Sequence, residues 1–578
     1  MAIKGTTRLT TDRPKEELTK QNTLGSLRLR HEDTNDVILI PTPSSDPKDP
    51  LNWSRSYRYY IAILLSLAIF FANFLAAGPT VAIVAITTDF YGPPGPGFEG
   101  HISKVAYFFT TTALCQGMSN LIWMPLIVKF GRRPIYVSSF VMYTACAAWA
   151  GGATSYASEL TARIFTGIGA GAAECLAPLT ISDMFFLHER GAIMAIYTCF
   201  LSAGVSGGII ISGLITINLD WRYIYWVSVA LIGSATVLVI LTFPETEFDR
   251  HGLIPSPSSA DTIKATDLDP IDEELGKVPS PDLKETESRT WHVEDTASNT
   301  TAPVPKPATT TRRRRQQVAG KMTWRDTLRL FSGVHTREPL FKLFLRPVML
   351  LLLPPVLWAT LVMSVTIGFV VAISSNFANA YAQAYGFEAW QAGLCFISGL
   401  IGSGLGIFFG GHVGDWVADY FTRRNGGVRE PEMRLPAIAI SLVTAPLSLV
   451  LYGEGIGLRL HWMCATVGLG LLNFSIVQAT NISLVYTIDA YRPVAGEITV
   501  SQLGFKSAFG FLLSFYTNPW INKDGYERAF GAMAGISGAV LLGFIPFYLY
   551  GKRIRHATWK WGFVRALVHW DQDREVGE

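Results

Sequence analysis

The sequence predicts an all-α polytopic membrane protein with twelve transmembrane helices in two six-helix bundles. Three observations carry this. Of the 578 residues, 49% are hydrophobic and only 16% are charged, against roughly 25% in an average soluble protein. Apolar runs long enough to cross a hydrocarbon core of about 30 Å, roughly 20 residues each, occur six times, stop for a long polar gap, and occur six times more. Lys and Arg cluster on alternate connections between the runs.

The first six runs lie near 58–86, 103–128, 134–152, 157–185, 191–216 and 221–243. The second six lie near 347–374, 389–414, 434–452, 461–487, 497–518 and 528–551. The implied organisation is a tail 1–55, a bundle 56–245, a central stretch 246–345, a second bundle 346–553 and a tail 554–578. So many long runs with almost no internal charge do not fit the core helices of a soluble enzyme. A net charge of +3 is too small to point to nucleic acid. The six cysteines sit in apolar runs without CxxC or CxxxH spacing, so they read as small buried hydrophobes. Neither a metal site nor a cofactor is expected, and a monomer is.

Basic residues set the orientation. The second-to-third connection carries Lys129, Arg132 and Arg133, and the central stretch carries Arg312 to Arg315 among others. The eighth-to-ninth connection has Arg423, Arg424, Arg429 and Arg434; the tail has Lys552, Arg553 and Arg555. No Lys or Arg occurs from Ile86 to Ser103 or from Ser375 to Glu388. Both termini and the central stretch are therefore expected in the cytosol. That stretch is rich in Pro, Ser, Thr and charge, a composition that buries no core. Trp324 to Phe344 alternates apolar and basic residues and reads as an interfacial helix.

The two halves repeat. The second-to-third connection reads Met124-Pro-Leu-Ile-Val-Lys-Phe-Gly-Arg-Arg-Pro134, and its counterpart reads Gly411-His-Val-Gly-Asp-Trp-Val-Ala-Asp-Tyr-Phe-Thr-Arg-Arg424. Gly131–Arg132–Arg133 resembles the end of the cytoplasmic loop signature of the major facilitator superfamily. Arg163 with Gly167, Gly169 and Gly171 resembles that family's fourth-span signature. Asp49-Pro-Leu-Asn-Trp-Ser54, Phe186-Leu-His-Glu-Arg-Gly191 and Arg423 to Leu435 are similar to the fungal drug:proton-antiporter-like branch, with its polyamine and organic-cation permeases. The resemblance implies a secondary transporter whose loops, here Gly131, Arg132, Arg133, Gly411 and Asp415, latch one gate state. Two departures stand out. The acidic position of the loop signature is Val128, whereas the second half keeps Asp415. The span-five antiporter signature ends here as Ala203-Gly-Val-Ser-Gly-Gly208, without its Pro.

Apart from the resemblance, ionisable groups inside spans are costly and usually functional. Arg163 lies in the outer half of span four. Glu174 follows eleven residues later, about 16 Å along the helix axis. It reads as the carboxylate placed deep in the first half. It can carry a proton, neutralise a cationic substrate, or hydrogen-bond between helices. Lys506 can pair with Glu174 across the halves or meet an anionic part of the substrate. Arg163 can join this coupling set or pin a neighbouring helix. Asn73, Gln116, Asn120, Asn473, Gln478, Asn481 and Gln502 are candidates for a mixed cavity between the halves; Asn473, Gln478 and Asn481 are expected to share a broad face.

No GxSxG elbow, HExxH or phosphate-cradling GxxxxGK[ST] occurs. The sequence therefore reads as a secondary transporter of a small organic solute, with protons and the lipid bilayer of the plasma membrane as its expected partners. Efflux of a drug or secondary metabolite competes with uptake of polyamines or other organic cations, with a lean towards efflux. A transporter-like nutrient sensor is a minor alternative. The charge asymmetry makes a direct prediction. A protease-sensitive tag inserted within 250–340 will resist external protease in intact cells and be cut after permeabilisation; cleavage in intact cells overturns the orientation.

Overall fold

The structure, a computed structural model, describes residues 46, 49–248, 333, 339–425, 428–491, 494–559, 561, 562 and 564. Most of both expected tails, Arg312 to Arg315 and most of the expected interfacial helix lie outside them.

The first half begins with α1 (Arg55–Ala77), which passes through a 3-10 turn at Gly78–Ala82 into α2 (Ile83–Tyr91). A short α3 (Phe98–Val105) precedes α4 (Tyr107–Phe130). Then come α5 (Arg132–Gly151), α6 (Tyr156–Met184), α7 (Leu187–Ile215) and α8 (Arg222–Thr242). In the second half, α9 (Leu340–Leu350) leads to α10 (Pro354–Ser374), α11 (Phe377–Tyr385), α12 (Ala389–Leu394), α13 (Ile397–Phe408) and α14 (Gly414–Arg424). The half closes with α15 (Ala439–Gly457), α16 (Trp462–Ala490), α17 (Ala495–Leu542) and α18 (Phe544–Trp559).

By length and hydropathy, nine helical stretches among the described residues qualify as membrane spans. The last of these, Ala495–Thr558, is two spans. Gly525 breaks it with φ 80°, and the chain reverses there. Before the break, Glu497 meets Arg346 near the start of α10 and Phe509 packs on Gly368 within it. After the break, Tyr526 bonds Asn376 just beyond the end of α10, and Val540 accepts from Trp358 near its start. The two arms therefore run antiparallel. α4 and α5, of 24 and 20 residues, complete the twelve. α5 traverses the bundle beside α8, with Arg133 on Ile240 at one end and Gly151 on Tyr225 at the other.

Local chemistry sets the helix ends. Ser155 caps α6 by accepting from Ser158 N at 3.3 Å. Pro354 opens α10 at a position where a missing N–H costs nothing. Gly131, with φ 89°, separates α4 from α5; a Cβ there would also meet the Glu245 carboxylate at 2.6 Å. Within α6, glycines admit close neighbours. A Cβ at Gly167 would lie 2.5 Å from Thr112 O, at Gly171 2.5 Å from Gln116 O, and at Gly169 3.0 Å from the Tyr143 backbone.

Three boundaries differ from the sequence reading. Span seven does not start at 347: α9 is separate, and the Pro354–Pro355 pair starts a new helix. Span eight continues through a π turn at Phe409–Val413 to Arg424, because its charged last turns still favour helix though not lipid. Span nine starts as a 3-10 segment, Pro431–Ile438. The end of the bundle that carries Lys129, Arg132, Arg133, Arg434 and Arg555 is called the basic end below. There Arg555 Nε and Nη2 bond both oxygens of buried Glu432 at 2.7 and 2.9 Å, tying α18 to the segment before α15.

Gly525 offers a clean stability test, because nothing lies within 4 Å of a Cβ built there. Gly525→Ala will lower the melting temperature by the equivalent of about 1–3 kcal/mol of backbone strain, because φ 80° with ψ 166° is a region that glycine alone adopts readily. Gly525→Asn will lower it as well, since φ 80° with ψ 166° lies outside the left-handed helical region that Asn tolerates. Equal melting temperatures for all three forms would show that the reversal is not held by this residue.

Candidate functional site

The two halves meet around a cavity of about 120 Å³. Most of its wall is apolar: Leu201 and Val205 of α7, Ile367, Val370 and Val371 of α10, Ile476 of α16 and Phe511 of α17. Against this wall stand a few polar groups from both halves, notably Asn73, Gln116, Glu174, Ser202, Asn473 and Lys506. An apolar pocket with few convergent polar groups is the usual form of a small-molecule site.

An ion pair stands at its edge. Lys506 Nζ lies 2.6 Å from Glu174 Oε1, and the two residues are 8% and 3% exposed. A short polar chain extends from the carboxylate. Gln116 Nε2 lies 3.5 Å from Glu174 Oε2 and 3.3 Å from Asn73 Oδ1. Asn73 Nδ2 in turn donates to Leu201 O at 2.9 Å. These contacts join α1, α4, α6, α7 and α17. A second link between halves is the Ser202–Ser403 hydroxyl pair at 2.6 Å, which no feature of the sequence singled out.

The structure brings Asn73, Gln116 and Asn473 to the cavity and leaves the other amide candidates away from it. Gln478 points at α15, accepting from Ser441 and donating to Ala437 O at 2.7 Å. Asn481 packs against Gly410, and Gln502 donates to Thr487 Oγ1 at 3.3 Å. Asn120 is fully buried one turn below Gln116. The expected common face of Asn473, Gln478 and Asn481 forms only in part: Asn473 and Asn481 lie against Gly399 and Gly410 of span eight, Gln478 turns to α15, and Asn473 alone of the three borders the cavity.

The sequence profile described as Major Facilitator Superfamily matches residues 62–499. The chain belongs to this superfamily. Its members are transporters rather than enzymes, so this superfamily protein is an integral membrane secondary transporter of small solutes. An uncharacterised MFS-type transporter of Schizosaccharomyces pombe is 26% identical, with 91% of this chain and 89% of that protein covered. Protein HOL1 of Saccharomyces cerevisiae is 25% identical, with 91% of each covered. Efflux pump vrtL of Penicillium aethiopicum is 23% identical, with 88% of each covered. Among solved structures, the proton:xylose symporter XylE aligns with a TM-score of 0.55 at 13% identity, over 86% of this chain and 97% of the other. The human organic anion transporter MFSD10 aligns at 0.51 and 15% identity, over 85% of this chain and 100% of the other.

In this major facilitator protein the structure does not bring Arg163 to the Glu174–Lys506 pair. Arg163, 1% exposed, donates to Leu75 O at 2.8 Å, to Tyr225 OH at 2.6 Å and to Glu159 Oε1 at 3.2 Å. Tyr225 OH also donates to Glu159 Oε1 at 2.5 Å. The network pins α1, α6 and α8 together, and it adds a second buried carboxylate, Glu159 in the first turn of α6, that the sequence reading did not single out. Glu159 is equally buried, at 0% exposure. Its position four residues before Arg163 on one helix was the available signal.

The loop motifs of the superfamily are also occupied. Arg132 Nε meets Asp183 Oδ2 at 2.7 Å, and its guanidinium also meets Glu247. Glu245 accepts from the backbone amides of Arg132 and Arg133 at 3.0 and 3.1 Å, capping the start of α5. The Arg133 side chain donates to Phe243 O and, at 2.8 Å, to Ile240 O at the end of α8. In the second half Asp415 pairs with Arg434 and, at 3.5 Å, with Arg429. Gly411 lies in the π turn with open space around it. The acidic partners Glu245 and Glu247 lie beyond the span-six run, which is why the loop motif alone did not reveal them.

These two buried ion pairs differ in one respect. Arg163 cannot shed its proton, whereas Lys506 borders the cavity. Glu159→Gln will therefore destabilise the protein by roughly 3–5 kcal/mol, as removal of one partner of a buried pair does, and Glu174→Gln will cost markedly less. The check is the melting temperature of both variants in detergent. Equal losses would show that the Glu174–Lys506 pair is as architectural as the Arg163 network.

Proposed function

We propose that the protein is a proton-coupled exporter of a small, largely apolar organic solute, with Glu174 as the coupling carboxylate. The observation that carries this is the Glu174–Lys506 pair, buried between the halves at the edge of a cavity that both halves line. Such a pair links substrate and proton. Protonating Glu174 removes the charge that holds Lys506, and a substrate group that takes either partner changes the free energy of protonation. Binding of one species then alters binding of the other by the same factor.

The similarity to a protein named as an efflux pump supports the export direction. The competing reading, uptake of an organic cation, is favoured by Glu174 as a ready partner for an ammonium group. A polyamine fits less well. Among the described lining residues Glu174 is the only carboxylate, so further ammonium groups on the solute would lie unpaired in an apolar wall. In the same proposal, 56–245 and 346–553 move as two bodies in a monomer at the plasma membrane, the basic end faces the cytosol, and contacts of Arg132, Arg133 and Asp415 hold one gate state. Arg163 serves that motion by keeping the first body rigid.

Glu174→Gln will reach the membrane but lose the pH dependence of transport. The test uses a metabolite whose cellular retention differs with and without the protein. Its transport is measured at acidic and neutral external pH in both forms and normalised to surface protein. Gln keeps much of the hydrogen bonding, so an unchanged pH ratio would assign Glu174 to helix packing and remove the coupling role.

A further inference from the structure

The polar groups that border the cavity do not form one network. Asn73, Gln116, Glu174 and Lys506 are linked to one another. Ser202 of α7 and Asn473 of α16 also border the cavity, and among the described residues no hydrogen bond joins their side chains to that set. Both sit instead against one turn of α13, Gly399 to Ser403. Ser202 Oγ lies 2.6 Å from Ser403 Oγ, and Ser403 Oγ in turn donates to Gly399 O at 2.8 Å. A Cβ built on Gly399 would lie 3.1 Å from Asn473 Nδ2 and 2.9 Å from Ser206 Oγ, so a further hydroxyl of α7 reaches the same turn. Ser206 is 0% exposed, and its hydroxyl makes no hydrogen bond.

Hydrogen-bonding capacity is left over at this turn. A carbonyl oxygen only accepts, so the single hydroxyl hydrogen of Ser403 goes to Gly399 O. The Ser202–Ser403 contact must then use the hydrogen of Ser202, which leaves Ser202 Oγ as an acceptor. Asn473 gives one amide hydrogen to Leu469 O at 2.9 Å and keeps the other, together with Oδ1. The cavity edge therefore offers a donor and acceptors without charge. A carbonyl on a solute could use only the donor and an ammonium only the acceptors, whereas a hydroxyl uses both. The unbonded hydroxyl of Ser206, one turn along α7, marks the same turn as holding polar capacity that the protein itself does not use, which is costly in a buried place.

We propose that Ser202 and Asn473 anchor a hydroxyl group of the solute, so that the transported molecule carries an alcohol or phenol on a largely apolar body. This deepens, and rests on, the reading of the cavity as the solute site. The solute O–H donates to Ser202 Oγ, and its oxygen accepts from Asn473 Nδ2. Val205 and Ile476, each three residues further along the same two helices, continue the wall as apolar surface for the rest of the molecule. Ser202 belongs to the first half and Asn473 to the second, so a bound hydroxyl ties the halves together independently of the Glu174–Lys506 pair. A site built in this way discriminates against an analogue that lacks the hydroxyl, because its own polar groups are then left unpaired.

The test uses n-alkylamines from propyl to heptyl beside the matching ω-amino alcohols, and n-alkanoates beside the matching ω-hydroxyalkanoates. Dissociation constants for the whole protein in lipid nanodiscs are measured by ligand-observed NMR, with empty nanodiscs as the blank. At one or more chain lengths the hydroxylated member will bind roughly tenfold more tightly than its parent, equivalent to about 1.4 kcal/mol. The readout is the ratio of the two constants within each form of the protein, so a general loss of affinity cancels. That ratio will fall to about one in Ser202→Ala, which leaves the Ser403–Gly399 bond in place, and in Asn473→Leu. A ratio near one throughout the wild-type series, or the full ratio retained in both variants, overturns the anchor. In Glu174→Gln the hydroxyl ratio will persist while the preference between amine and carboxylate head groups changes. A head-group preference untouched by that substitution overturns the coupling reading and leaves the anchor standing, and binding by none of the probes overturns both.

Discussion

The arrangement at the heart of this protein depends on keeping two opposite charges out of water. Lys506 and Glu174 come from helices 332 residues apart in the chain, and neither has another charged side chain within ion-pair distance among the described residues. Burying either alone would carry a heavy desolvation penalty. Their contact therefore favours the arrangement in which the two halves close around the cavity. It also makes that arrangement sensitive to anything that neutralises or replaces one partner. A transporter needs an interface stable enough to close and still able to open.

The other buried charges of the first half have the opposite character. The Arg163 guanidinium spends its donors on Glu159, Tyr225 and a backbone carbonyl of α1. Nothing in that network belongs to the second half. It holds three helices of one half in register, so the half can move as a unit. The glycines of α6 act in the same sense, because α4 and α5 pack directly on its backbone. At the basic end, Arg132, Arg133 and Glu245 stitch the α4–α5 connection to the end of α8, and Arg555 and Glu432 do the equivalent in the second half. Most of the buried ionic contacts thus serve rigidity within halves, and Glu174–Lys506 serves the junction between them.

The departures from the expected motifs fit this division. The loop signature has Val128 where a carboxylate is expected. In the structure the carboxylates that meet the loop are Asp183, Glu245 and Glu247, contributed by α6 and by the segment after α8. Their function is filled from elsewhere in the chain, and a motif search confined to the loop cannot find them.

The sequence by itself determined the class, the spans and the costly residues. Twenty apolar residues in a row can satisfy their backbone only as a helix in lipid, so hydropathy reads out helices directly. Inward charges such as Glu174, Arg163 and Lys506 stand out against that background. Helix interruptions within a run were less legible: the separate α9 and the π turn after α13 depend on backbone geometry that hydropathy does not encode, whereas the reversal at Gly525 falls in the gap between the runs 497–518 and 528–551. Only the tertiary structure decided which polar residues share a site. Asn473, Gln478 and Asn481 lie within nine residues of one helix, yet only Asn473 borders the cavity, and Gln478 turns to α15. Glu174 and Lys506, in different halves, meet. The reason is that contact across a bundle is set by how helices rotate and pack against one another, a property of all of them together, whereas a sequence pattern reports the periodicity of one helix at a time.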